Sequence, residues 1–172
     1  SPRLAPDGRR VAAERIVDGK QDVWLLDGVH ATRFTFSTGN NGFPVWSPDG
    51  ARIAYYAGDG GILNLRMRRT TGTASEESLL SSASAKVPFS WSPDGRYLLY
   101  SDYSPETNAD LWVMPMTGTP EPSLVVQTRY RETQGTFSPD GRWIAYLSDE
   151  AGRAEVYIRP FVAPNAASSE AL

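Results

Sequence analysis

One three-residue phrase, Pro-Asp-Gly, recurs along the chain and limits what it can fold into. It occurs at Pro6-Asp7-Gly8, Pro48-Asp49-Gly50, Pro93-Asp94-Gly95 and Pro139-Asp140-Gly141, with the aspartates 42, 45 and 46 residues apart. Ser precedes the last three copies and Ala5 the first. Two further landmarks keep step with it. A large apolar residue stands three places before each aspartate (Leu4, Trp46, Trp91, Phe137), and Val11, Ile53, Leu98 or Ile144 follows four places after. A polar-led run begins 15 or 16 residues after the aspartate, as Asp22-Val-Trp-Leu, Asn64-Leu-Arg-Met, Asp110-Leu-Trp-Val and Glu155-Val-Tyr-Ile. Self-similarity at such a period signals an array of like supersecondary units.

The turn has a direct physical account. Proline pre-sets φ near −65° at the second turn position, Asp can accept hydrogen bonds from nearby amides, and Gly tolerates a positive φ. The phrase therefore reads as a hairpin connector. The flanking runs are short, rich in Val, Ile, Tyr, Trp and Phe, and bounded by Gly, Pro, Asp and Ser, and no segment keeps a 3.6-residue apolar period over a helical length. Each repeat offers four strand slots. They end at the Trp or Phe, follow the turn (Arg52–Tyr56, Arg142–Tyr146), take the polar-led run (Asp110–Met114), and close on a weaker segment at Arg33–Phe36, Ser78–Leu80 or Ser123–Val126. Four strands in such a period is the arithmetic of a β-propeller blade. The expected class is all-β, a single propeller segment with blades at about 1–37, 38–81, 82–127 and 128–162, the last one incomplete, followed by a flexible tail at 163–172.

Composition narrows the function. With 40% hydrophobic residues the chain can build a core, and no run approaches the roughly 20 apolar residues of a membrane helix, so direct membrane insertion is not expected. The absence of cysteine removes disulfides, thiolate catalysis and Cys-ligated zinc, and leaves the compartment open. A net charge of −3 argues against a nucleic-acid partner, whose footprint is a basic surface.

At Trp46-Ser-Pro-Asp-Gly50, Trp91-Ser-Pro-Asp-Gly95 and Phe137-Ser-Pro-Asp-Gly141, with Ile53-Ala-Tyr55 and Asp110-Leu-Trp112 behind them, the sequence resembles the TolB-like propeller repeats. The first copy departs from the pattern at Leu4 and Ala5, and the second has Arg66 where Trp or Tyr is usual. The segments Thr32–Phe36, Phe43–Gly50 and Glu155–Phe161 also resemble the C-terminal propellers of bacterial eukaryotic-like serine/threonine kinases, in which the propeller follows a membrane helix. Similar repeats form the gate of prolyl-oligopeptidase-like peptidases. The resemblance implies a non-enzymatic interaction or sensor module of a larger bacterial envelope protein, periplasmic or otherwise extracytoplasmic. The alternatives are a peptidase gate or a stand-alone periplasmic scaffold. TolB-like propellers generally have six or more blades, so the chain reads as part of a larger ring whose remaining blades would cover its end faces.

No catalytic constellation stands out. Nucleophile elbow, Walker loop, His-Glu-x-x-His and kinase motifs are absent, and His30, the sole histidine, reads as an exposed loop residue. The turn residues Asp7, Gly8, Asp49, Gly50, Asp94, Gly95, Asp140 and Gly141 read as structural, because one per blade is too far apart for paired acid/base work. Asp59, Asp149 and Glu150 lack calcium-loop spacing and read as turn acids, so neither metal nor cofactor is expected. Arg66, Arg68 and Arg69 read as a solvated strand edge. Binding is expected on the loops that lead into the innermost strands, where Asn41, Lys86 and Glu132 occupy one equivalent position with divergent chemistry. Tyr130 and Arg131 are the expected anchors for a protein, peptide or small ligand at the channel rim.

Overall fold

The computed structural model describes residues 2–72 and 75–164; the expected tail from Asn165 onward lies outside the described residues. The described residues form four antiparallel sheets and no helix. Sheet 1 holds β1 (Arg3–Leu4), β2 (Arg10–Val17), β3 (Lys20–Asp27) and β4 (His30–Arg33). Sheet 2 holds β5 (Asn41–Trp46), β6 (Arg52–Asp59), β7 (Ile62–Arg69) and β8 (Glu77–Leu80). Sheet 3 holds β9 (Ala85–Trp91), β10 (Tyr97–Ser104), β11 (Asn108–Pro115) and β12 (Ser123–Val126). Sheet 4 has three strands, β13 (Glu132–Phe137), β14 (Trp143–Ser148) and β15 (Glu155–Pro160). Within each sheet the strands pair in chain order, so every sheet is a meander.

The Pro-Asp-Gly phrase joins first and second strands at what we term the lower end. Its four glycines have φ between 67° and 74°, and each glycine N–H donates to the carbonyl three residues earlier at 2.8–2.9 Å. Each aspartate Oδ1 accepts the backbone N–H two residues on (Arg9, Ala51, Arg96, Arg142) at 2.9–3.1 Å. In the last three copies the serine Oγ donates to the aspartate and accepts the N–H of Arg52, Tyr97 or Trp143, a bond Ala5 cannot make. The Ser47 and Ser138 hydroxyls, followed by the backbone donors, hold the carboxyls of Asp49 and Asp140 below the usual carboxylate range.

Strand alternation gives each sheet two faces. The residues four and six places after the turn aspartate share the back face, and those three and five places after it the front face. The front face of one sheet packs on the back face of the next. Ala12 and Val23 meet Ile53 and Tyr55; Ala54, Leu65 and Met67 meet Leu98 and Tyr100; Tyr97, Leu99 and Val113 meet Phe137 and Ile144. Each fully buried Leu or Ile contributes roughly 1.5–3 kcal/mol, so these three junctions form the core. Trp46 and Trp91 close their lower ends, with Arg10 and Arg52 stacked over the indoles at 5.1 and 5.3 Å.

Three local expectations are corrected. The fourth strand of sheet 1 is His30–Arg33, not Arg33–Phe36. Gly28, at φ 57°, makes a two-residue hairpin that pairs Asp27 with His30 at once, so His30 is an exposed strand residue rather than a loop residue. Phe34 is thereby freed from the sheet to pack edge-on against Tyr55, with ring centroids 6.2 Å apart. Nor do Arg66 and Arg68 form a solvated edge. Both are half-buried beside the first junction, Arg66 paired with Glu76 at 2.8 Å and Arg68 donating to the Phe34 carbonyl while stacking on Phe34 and Phe36.

Candidate functional site at the upper rim

At the upper end lie the starts of the first strands and the hairpins joining second to third strands. Asn41, Lys86 and Glu132 stand there at equivalent positions, and the structure buries all three side chains. Asn41 Nδ2 donates to Asp22 Oδ1 at 2.9 Å, across the first junction. The Lys86 ammonium lies 3.2 Å from Asp102 Oδ2 on the neighbouring strand, and also donates to Ser82 and Ser84. Glu132 accepts from the Thr128 hydroxyl through Oε1, while its Oε2 is buried without a hydrogen-bond partner. Desolvation raises the Glu132 carboxyl above the usual range; Thr128 works against this, and the nearby charges of Asp110 and Asp149 add to it.

The polar residues that lead the third strands fasten each sheet to the segment entering the next. Asp22 accepts from Thr35 Oγ1 at 2.9 Å and pairs with Arg33 at 2.7 Å; Asn64 accepts the Ser82 N–H; Asp110 accepts from Gln127 at 3.1 Å. The sequence shows these residues as a landmark, and the structure gives them this role. These partners stand 11 to 18 residues away, outside the reach of any local pattern.

Exposed chemistry gathers beside Glu132. Arg131 is exposed and stacks over Tyr103 at 5.7 Å, its backbone N–H held by Asp149 Oδ1 at 2.9 Å. Arg129 stacks over Tyr130 at 5.0 Å and donates to its hydroxyl at 2.8 Å. Asn108, left-handed at φ 72°, donates to the Arg129 carbonyl at 3.2 Å and so ties the two loops together. Between them opens a cleft of about 370 Å³ lined by Tyr103, Ser104, Pro105, Asn108, Ala109 and Arg131. Within the cleft one guanidinium, Arg131, stands beside one phenol ring, Tyr103, a pairing that suits a carboxylate-bearing ligand with apolar or aromatic parts. Arg131 lines the cleft, Tyr130 is paired with Arg129 on the adjoining loop, and Asn41, Lys86 and Glu132 are buried.

No protein-family model matches the chain. TolB from Acinetobacter baumannii superposes on 93% of the chain with a TM-score of 0.81 at 21% identity, using 40% of its own length. A putative TolB from Agrobacterium tumefaciens superposes on 95% with a TM-score of 0.76 at 18% identity, using 61% of its length. The fold is a TolB-type β-propeller. Among curated proteins, dipeptidyl-peptidase 5 of Porphyromonas gingivalis is 35% identical over 69 residues, which are 36% of this chain and 10% of that protein. The chain therefore spans only part of each of these three proteins.

In the propeller frame, the Arg-Tyr cleft sits at the junction of the third and fourth blades. A larger cleft of about 690 Å³ lies at the lower side, among Arg96, Tyr97, Gly118, Glu121 and Pro164. It gathers two charged side chains of opposite sign, Arg96 and Glu121, whereas the charged residue lining the rim cleft is Arg131. Among the described residues no three His, Cys, Asp or Glu side chains are grouped to hold a metal; the Asp59 side chain lies outside the described residues. His30 stands exposed on the outermost strand of the first blade, away from the rim cleft. Among the described residues no helix is long and apolar enough to cross a membrane.

Proposed function

We propose that the chain is a non-enzymatic interaction module of a larger bacterial envelope protein, such as a receptor-type kinase, with its propeller on the extracytoplasmic side. Its upper rim binds a peptide or small ligand bearing a carboxylate. The observation that carries this reading is the Arg131–Tyr103 stack on the cleft, with Arg129 and Tyr130 alongside and a buried polar layer below to hold the loops in place. The test is fluorescence anisotropy with glutamate-rich peptides ending in a free carboxylate. Arg131→Ala is expected to weaken binding at least tenfold with an unchanged circular dichroism spectrum, while Leu124→Ala on the outer strand leaves it intact. Equal loss in both variants would refute the rim as the binding surface.

A second reading is favoured by the 35% identity to a segment of dipeptidyl-peptidase 5: the chain would then be part of the propeller that gates a serine peptidase. The two readings separate on the full reading frame. A downstream Gly-x-Ser-x-Gly hydrolase domain supports the peptidase, and an upstream kinase module with a membrane helix supports the sensor.

A further inference from the structure

The two loops that wall the rim cleft, 104–108 and 127–131, are fastened to one buried pair of acids. Asp110, 2% exposed, accepts through Oδ2 from the Thr107 hydroxyl in the first loop and from Gln127 Nε2, 3.1 Å away, at the start of the second. Glu132, 1% exposed, accepts through Oε1 from the Thr128 hydroxyl at 2.5 Å, and the same hydroxyl oxygen accepts the Tyr130 N–H at 3.0 Å. Asn108 then ties the first loop to the Arg129 carbonyl of the second. The remaining oxygens of the pair, Asp110 Oδ1 and Glu132 Oε2, are buried with no hydrogen-bond partner. In the first junction the corresponding contact is made by the Asn41 amide, which donates to Asp22 at 2.9 Å. A carboxyl at 132 can supply such a donor only as the acid, through its O–H; as a carboxylate it sets two like charges together out of water. No basic group answers them. On β14 and the hairpin after it stand Tyr146, Asp149, Glu150 and Arg153, the last paired with Glu155 at 2.7 Å. On β10 stand Tyr100, Asp102 and Tyr103, and on β9 Lys86, which Asp102 engages at 3.2 Å. On the loop before β13, Arg129 and Arg131 are exposed and stacked on Tyr130 and Tyr103. Among the described residues no ion pair joins a basic side chain to Asp110 or Glu132.

With the rim cleft taken as the binding surface, on which this rests, we infer that ligand binding there is proton-linked: the protonated Glu132 holds both cleft loops to Asp110, and loss of its proton loosens the cleft. Desolvation of Glu132, with the charges of Asp110 and Asp149, moves the titration upward from the ordinary carboxylate range. The site therefore binds best where Glu132 keeps its proton and weakens as pH rises. By reciprocity, a ligand that binds where Glu132 is ionised draws a proton onto it.

The test is fluorescence anisotropy with the glutamate-rich, free-carboxylate peptide from about pH 5.5 to about pH 8, a range in which the peptide's own carboxylates stay ionised. Wild-type affinity is expected to fall about tenfold as pH rises. Glu132→Gln, whose amide can donate at any pH, is expected to flatten the profile, and so is Asp110→Asn, which offers an amide to Glu132 instead. Both variants retain the exposed His30, so a pH effect arising there would persist in them. Without peptide, the exchange protection of the Tyr130 amide, corrected for the intrinsic pH dependence of exchange, is expected to fall over the same range in the wild type alone. A flat wild-type binding profile, equal slopes in wild type and variants, or constant Tyr130 protection overturns the proton linkage and leaves the rim as the binding surface. No binding at any pH refutes the rim as the binding surface, and the linkage falls with it.

Discussion

Replacing Glu132 by Gln is expected to stabilise the protein at neutral and alkaline pH and to remove part of its pH dependence. Asp110 Oδ1 and Glu132 Oε2 are both buried without a hydrogen-bond donor, and the charge of Asp110 adds to the desolvation that raises the Glu132 carboxyl. At the first junction the equivalent pair is Asn41 and Asp22, whose amide supplies the donor at 2.9 Å. A glutamine at 132 recreates that arrangement: its oxygen keeps the Thr128 bond and its amide N–H₂ takes the place of Oε2. Because the folded-state pKa lies above the unfolded value of about 4.3, the native chain binds more protons there, and stability falls as pH rises from that value through the folded pKa. The glutamine side chain has no such loss. An unsatisfied buried polar group costs about 1–3 kcal/mol, so the variant is expected to match wild type near about pH 4 and exceed it by roughly 1.5 kcal/mol near about pH 8. With a urea m-value of about 1–3 kcal/mol/M, the midpoint moves up by about 0.5–1.5 M. Urea titrations of both proteins across this pH range decide it. Parallel profiles, or a variant weaker than wild type at the alkaline end, would refute the donor argument.

Other expectations rest on the turn and on the close approach of the blades. Ser92→Ala removes the acceptor of the buried Tyr97 N–H and one donor to Asp94, and is expected to cost about 1–2 kcal/mol by chemical denaturation. Gly135→Ala would set a Cβ 2.6 Å from Leu99 Cδ2 and 3.2 Å from Leu111 Cδ2 in the third junction; a loss of about 1–3 kcal/mol is expected, and a compensating Leu99→Ala change should return part of it. Reading both by urea midpoint on a common scale compares a turn defect with a packing defect.

The blades were legible because their signals are local. A Pro-Asp-Gly turn fixes where two strands join, and strand alternation then assigns Ile53, Leu98 and Ile144 to one face whatever lies beyond. The same reasoning misplaced the fourth strand of sheet 1, since Phe34 answers to Tyr55 in the next sheet and not to its own neighbours. It also read Arg66 and Arg68 as solvated, although Glu76 and the Phe34 carbonyl receive them. At the rim, Tyr130 and Arg131 are singled out by residue type alone. The burial of Asn41, Lys86 and Glu132 was hidden, because a polar residue in a loop looks exposed until a distant partner is known. Only the positions, not the depths, of these three could be counted off from the turns. The left-handed Phe43 and Gln134, which sit where the first strands of sheets 2 and 4 slip register, carry no sequence signal comparable to the turn glycines.

Repeated units invite mis-docking, since any front face could in principle meet any back face during folding. The polar layer at the upper rim makes the three junctions chemically distinct. An anionic Asp22 awaits the amide of Asn41, a neutral Asn64 faces the segment that carries the Lys86 ammonium, and Asp110 stands beside the raised carboxyl of Glu132. A blade arriving out of turn would bring the wrong group, leaving a buried charge or donor unanswered at that seam. The uniform turns make the blades alike, and these buried side chains give them their order.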